Sequence, residues 1–231
     1  MMPDETKGTG MMDDMLADEG EGTAPLARTG QPTGLDLYRN QSEISPEDVY
    51  IPNLRLAQGL TPEVQSGDAR PGQWLITGFE PQAEVVVVPV AFFKRRELRD
   101  ADTREGLCYS ADSLTGFGAP GGECAKCPMQ EWADGPDGKR VAPACNFSYE
   151  YIVYSDTHQC MALLKFQKTA IKTGKVLNTA VAQSGLGNIA VRLKADPRQG
   201  PRGAFFSPTV VPVKVDGAIL EEAKRRFAES V

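Results

Sequence analysis

Apolar and polar residues begin to alternate at Tyr50-Ile-Pro-Asn-Leu-Arg-Leu, and from there the chain reads as a series of short strands. A turn signal at Pro71-Gly72 precedes a strand over residues 73–79, and Pro81 marks the turn before the β-branched run of residues 84–93, which ends in Lys94-Arg95-Arg96. Pro89 inside that run predicts an edge position or a bulge, because proline cannot donate to a ladder. Residues 147–154 and 160–167 predict two strands joined as a hairpin. Helical spacing follows over residues 169–182. Val176, Leu177, Ala180 and Val181 can share one face, with Lys168, Lys172 and Lys175 opposite; Gly174 weakens the helix and Ile171 falls nearer the lysines. Gly185-Leu-Gly187 ends it, strands are expected over 188–193 and 204–215, and a short helix over 218–228. There is no internal repeat. This pattern predicts a mainly β fold with one or two short helices: an OB-like Greek-key barrel, with a sandwich or split barrel fitting the same strands.

Two stretches break the pattern. Residues 1–45 hold few large apolar side chains and read as a disordered acidic tail, either a solubilising leader or a mimic of nucleic acid. Residues 100–146 are rich in Gly, Pro, Asp and Cys, with no periodicity. A structureless loop of that length inside a domain is unusual, and a bound metal would supply the order it lacks. The expected organisation is therefore a tail at 1–45, a domain at 46–215 carrying an insertion at 100–146, and a terminal helix at 216–231.

The insertion contains Cys108, Cys124, Cys127 and Cys145. Zinc prefers thiolate sulfurs in a closed tetrahedron, and Cys124-Ala-Lys-Cys127 lets two sulfurs converge from one tight turn. Gly121-Gly122 before it and Pro128 after it are the punctuation such a turn carries. The set predicts a structural Zn2+ site with no position left for a catalytic water. His158, the one histidine, is the alternative fourth ligand. Disulfides fit poorly with five cysteines and no signal-peptide pattern, and Cys160, leading an apolar strand, reads as a core residue.

Charge changes the picture more than composition does. The net charge of −6 comes from the tail: residues 1–22 carry seven acids and one base, which leaves 24 bases and 24 acids elsewhere. Residues 159–214 hold nine bases and one acid, Asp196. Sequence-tolerant binding of single strands needs cations along the phosphates and flat side chains under the bases. Lys94, Arg95, Arg96, Lys165, Lys168, Lys172, Lys175, Arg192 and Lys194 are candidates for the first role, and Trp132, Tyr149, Tyr151, Tyr154, Phe166 and Phe205 for the second. Alternation places Tyr149 and Tyr151 on one face with Phe147 and Val153, which is equally the pattern of a buried face. Trp132 also fits as packing for the cysteine loop. No phosphate-cradling or nucleophile motif is present, and one histidine in a turn gives little support to acid–base catalysis. The chain reads as non-enzymatic, cytoplasmic and without a membrane span.

Ile51-Pro-x-Leu-x-Leu-x-Gln58-Gly59-Leu-Thr, Pro71-Gly72-x-Trp, Cys108-x-Ser110-x-Asp112, Cys124-x2-Cys127-Pro128-x3-Trp132 and Pro143-x-Cys145 together resemble a group of small bacteriophage single-stranded DNA-binding proteins, over roughly residues 48–170. The resemblance implies an OB-like fold, zinc, and protection of displaced strands during phage DNA replication or recombination in the host cytoplasm. Such proteins commonly recruit replication partners through an acidic C-terminal tail. Here the C-terminus is mixed in charge and the acidic segment lies at the other end. A zinc-containing protein that docks on a polymerase, as a transcription regulator or virion component, is the competing expectation.

Overall fold

The computed structural model describes residues 50–135, 138–200 and 203–230. Among them, β1 (Asn53–Leu56) leads into a one-turn helix α1 (Pro62–Gln65), then β2 (Trp74–Leu75), the long β3 (Val85–Arg99) and a meander of β4 (Gly106–Ser110), β5 (Thr115–Gly118) and β6 (Gly122–Glu123). A two-stranded ribbon, β7 (Ala133–Asp134) and β8 (Arg140–Val141), precedes the hairpin β9 (Cys145–Ser155) and β10 (Cys160–Gln167). Helix α2 (Ile171–Ser184), a second hairpin β11 (Ala190–Gly200) and β12 (Gly203–Val213), and helix α3 (Gly217–Ser230) complete the chain. The protein is mainly β, built on one large mixed sheet.

The sheet runs β2–β1–β10–β9–β3–β4–β5–β6, with β11 and then β12 attached to β3. All pairings are antiparallel except β1 with β10. β3 organises it. β9 lies along residues 87–98 of it, while its other edge is shared, β11 pairing with residues 85–87 and β4 with residues 96–99. Pro89 sits at a bulge, where Val90 is left without a partner between Pro89–Val153 and Ala91–Ile152. The expected bulge is therefore present, on a central strand.

Both faces are covered, but not to the same extent. The inner face holds the larger core, with Trp74, Tyr151, Leu164, Phe166 and Val191 buried and Leu177 of α2 packed into it. α3 closes the end of the outer face near the β9–β10 turn: Ala223 is buried against Val88, Val90, Tyr154 and Met161, with Ile219, Leu220 and Phe227 around it. Asp216 caps this helix, its carboxylate accepting from the Ala218 N–H at 3.0 Å.

The sheet does not close by a backbone ladder. Its ends are joined by a side chain: Gln58 Nε2 donates to the Phe206 carbonyl at 2.8 Å and Gln58 Oε1 accepts from the Phe206 N–H at 2.9 Å. The Gln58 amide thus stands in for a peptide unit between the β1 end and β12.

Several sequence expectations change. The strand expected over 73–79 contracts to Trp74–Leu75, since Trp74 also bridges Gln82 and the chain turns at residues 77–79. β3 runs on through Lys94-Arg95-Arg96 to Arg99, because β9 and β4 satisfy its backbone on both sides. Residues 106–123 are an extension of the main sheet, not a separate loop. Ile171 packs against the inner core and Val176 is exposed, the reverse of the helical-wheel reading. The expected N-terminal tail lies outside the described residues.

Gly174, which weakens the helix in sequence terms, is required by packing. A Cβ there would lie 2.8 Å from the Tyr149 ring and 3.0 Å from Phe166 Cβ. Gly174→Ala should therefore lower stability by about 1–2 kcal/mol, the clash outweighing the roughly 1 kcal/mol gain in helix propensity. A urea melt checks this, and a higher midpoint in the variant would refute it.

Candidate nucleic-acid interface and cysteine centre

Register places the cysteines. Leu98 pairs with Cys108 on one side and Cys145 on the other, so both thiols rise from the same face of the sheet, one on each flank of β3. The chain then returns over them. Asp112 shapes the β4–β5 turn by accepting from Ser110 Oγ and from the Leu114 and Thr115 N–H groups at 2.8–3.0 Å, which holds its carboxyl below the usual range. Gly116 lets β5 pass Cys108, since a Cβ there would meet the Cys108 sulfur at 2.8 Å. Cys124–Lys126 and Pro128–Gln130 form two successive 3-10 turns with Cys127 between them.

Cys108, Cys124, Cys127 and Cys145 line one cavity of about 20 Å³, with Arg96, Leu98 and Ser110 at its base. That is room for a single water-sized occupant. All five cysteines are free thiols. Among the described residues, however, no group of three or more His, Cys, Asp or Glu stands in metal-ligating geometry. The donor set matches zinc in type and number, and the four cysteines line one cavity. Burial raises the Cys145 thiol pKa, and the nearby Arg96 guanidinium opposes the rise.

Arg96 is committed to this centre. Its Nε donates to Ser113 Oγ at 2.9 Å and its guanidinium lies 5.2 Å from the Phe147 ring centroid. His158 is elsewhere: its Nδ1 is 2.8 Å from Ser155 Oγ and its ring meets Phe79 edge-on. Burial lowers the His158 pKa. It does not serve as the fourth ligand of the cysteine set. Cys160 packs at the margin of the inner core, its thiol pushed up to about 11 by burial, as its core reading required.

The outer face divides in two. α3 covers the end near residues 154–161, and no described element covers the other end. There the rows run Lys165–Glu150–Phe93, Gln167–Ser148–Arg95 and Asn146–Glu97–Tyr109–Phe117 across the strands. Tyr109 and Phe117 are 41% and 70% exposed, which decides their availability for stacking. Arg95 sits between the Phe93 and Tyr109 rings, at 5.1 and 5.7 Å from their centroids, and hydrogen-bonds the Tyr109 hydroxyl. Glu150, 4% exposed, holds two cations: Oε2 lies 3.1 Å from Arg95 Nε and Oε1 lies 2.9 Å from Lys165 Nζ.

The other candidates scatter. Lys94 pairs in register with Tyr149, on whose ring Gly174 packs, so it lies on the α2 side of the sheet with Lys172 and Lys175. Lys94, Lys168, Lys172 and Lys175 are exposed. Arg192 and Lys194 share Glu84, at 3.5 and 2.8 Å, and this depresses the Glu84 carboxyl. Trp132 is exposed with Arg140 over its ring at 5.6 Å.

Tyr149 and Tyr151 are corrected as stacking candidates. They belong to the inner core, and the Tyr151 hydroxyl bonds Asn178 with its pKa raised by burial. Tyr154 and Phe166 are buried too. The exposed rings that sequence reading missed are Tyr109 and Phe117, with the half-buried Phe93 beside them. The signal was present in the alternation of Leu107 and Tyr109 with Cys108 and Ser110, a strand pattern hidden inside a cysteine segment.

No protein-family model, curated protein or solved structure matches the chain. No helix among the described residues is long and apolar enough to cross a membrane.

Proposed function

We propose that this protein is a non-enzymatic, sequence-tolerant binder of single-stranded DNA, protecting displaced strands during phage DNA replication or recombination. The observation that carries the reading is the uncovered half of the outer sheet face. Exposed Tyr109 and Phe117 stand there beside Phe93, with Arg95 and Lys165 interleaved. Strands present flat rings at a fixed spacing, which suits successive bases, while cations between them suit phosphates. The curled sheet with its Gln58 bridge is read as a barrel of the OB type whose last closure is made by a side chain. Cys108, Cys124, Cys127 and Cys145 would hold zinc as a structural ion, binding the β4–β6 meander to β3 and β9 and so fixing Tyr109 and Phe117 in place. Lys94, Lys168, Lys172 and Lys175 extend the positive field around the same sheet.

Fluorescence anisotropy with labelled oligo-dT tests the reading. Affinity should fall steeply as salt rises, and duplex of equal length should bind far more weakly. The Tyr109→Ala, Phe117→Ala double variant should lose about 30-fold or more in affinity, from on the order of 1–3 kcal/mol for each of the two bases left unstacked. Equal binding of duplex, or binding insensitive to salt, would exclude it.

A further inference from the structure

A second feature borders the open face. β1 pairs with β10 only at Asn53–Leu163 and Leu54–Leu164, and the chain then turns away, with Ala57 bonding Gln73 and Gly72. The edge of β10 beyond Lys165 is left facing a groove of about 420 Å³, bounded on the far side by Phe206 and Pro208 of β12. That volume falls within the roughly 300–1,000 Å³ of small-ligand sites.

Its chemistry is uneven in a useful way. Arg55 and Lys165 line it, and among the described residues no Asp or Glu does. Their partners approach from outside the lining: Glu63 bonds Arg55, and Glu150 bonds Lys165. An Arg or Lys head carries more donors than one such contact uses. Tyr50 and Phe206 give the groove flat walls, and Asn53, Gln167 and Thr169 give it amide and hydroxyl groups. Trp74 also lines it, and among the described residues its buried indole Nε1–H has no hydrogen-bond partner. A buried orphan donor calls for an acceptor.

We propose that this groove takes one nucleotide unit, with the base between Tyr50 and Phe206, a base acceptor on the Trp74 N–H, and the phosphate against Arg55 and Lys165. A planar heterocycle rich in acceptors and linked to an anion satisfies every one of these groups; a lone anion leaves the flat walls and the indole unused. The inference rests on the single-strand reading, because Lys165 belongs to both the groove and the open face. The groove would seat one base of a strand whose neighbours lie over Phe93 and Tyr109.

The chain has two tryptophans, so Trp132→Phe makes Trp74 the sole indole reporter. Titration with dTMP should give a saturable change in its emission. Deoxyribose 5-phosphate should give none, and thymidine should bind about tenfold more weakly than dTMP. Tyr50→Ala and Arg55→Ala should each weaken dTMP at least about fivefold. Equilibrium dialysis of labelled dTMP against the unsubstituted chain repeats the measurement should the reporter variant fold poorly. No dTMP binding up to about 10 mM while oligo-dT still binds would reject the groove and leave the single-strand reading standing. dTMP binding without oligo-dT binding would do the opposite. Deoxyribose 5-phosphate reproducing the dTMP signal would reduce the groove to an anion contact and overturn the proposal.

Discussion

Replacing Cys124 and Cys127 by serine should release the segment from Gly106 to Val141 while the β9–β10 and β11–β12 hairpins stay folded. The physical reason is how little core that segment owns. Among the described residues between 101 and 144 only Ser110, Gly116 and Cys124 are buried, and the β6, β7 and β8 strands are two residues each. Apolar burial on that scale does not offset the ordering of some forty residues, at about 1–2 kcal/mol each for the backbone alone. The proposed zinc would supply part of that cost beyond what burial and the backbone ladders give, since structural zinc binding by cysteine sets in small domains is worth on the order of 10–16 kcal/mol at neutral pH. Native mass spectrometry should find one zinc per chain, and a chelator at neutral pH should raise amide exchange across residues 106–141 without changing exchange in β9 or β11. The double variant should behave as the chelated protein does. A native mass equal to the bare chain, together with unchanged exchange in the variant, would remove zinc from the account.

How much of this was legible beforehand depends on whether a local rule or a tertiary contact decided the outcome. The bulge at Pro89, the β9–β10 hairpin and α3 follow from rules that act within a few residues: a missing N–H, a polar turn between apolar runs, a helical spacing after Asp216. Strands are also expected near β11 and β12, but not their pairing as a hairpin or the run of β11 to Gly200. The continuation of β3 through Lys94-Arg95-Arg96 does not follow from any such rule. It depends on two neighbouring strands, one of which, β4, comes from a segment rich in Asp, Gly and Cys. β1 in parallel beside β10 is equally invisible, because their pairing spans more than a hundred residues.

The site was legible in kind but not in place. The four cysteines do line one cavity, because the spacing that selects them also fits the register around Leu98. Tyr149 and Tyr151, which alternation leaves open between stacking and burial, are buried, while Trp132 is exposed. Alternation gives two faces and does not say which is inside; that was decided by α2 folding onto Tyr149 and Phe166 through Gly174. Arg96 was read as a free cation because the sequence does not reveal that β4 and its Ser113 turn would enclose it.

Glu150→Gln should move stability and affinity in opposite directions, and this contrast is the sharpest test of the open face. Glu150 is a buried carboxylate with Lys165 on one oxygen, Arg95 on the other, and the Ser148 hydroxyl donating to it at 3.0 Å. Removing one partner of a buried ion pair costs about 3–5 kcal/mol when the charge left behind stays buried. Arg95 and Lys165 are each about one-third exposed and can turn toward water, so the expected loss is about 2–3 kcal/mol, read as a lower urea midpoint. Affinity for oligo-dT should rise, because in the native protein a phosphate must compete with Glu150 for both cations. Each cation released to a phosphate adds about 0.7 to the steepness of log K against log salt. A wholly structural role for Glu150 would give the lower midpoint with an unchanged salt slope. That result would mean Arg95 and Lys165 serve the sheet alone, and the strand-binding surface would have to be sought on the α2 side, at Lys94, Lys172 and Lys175.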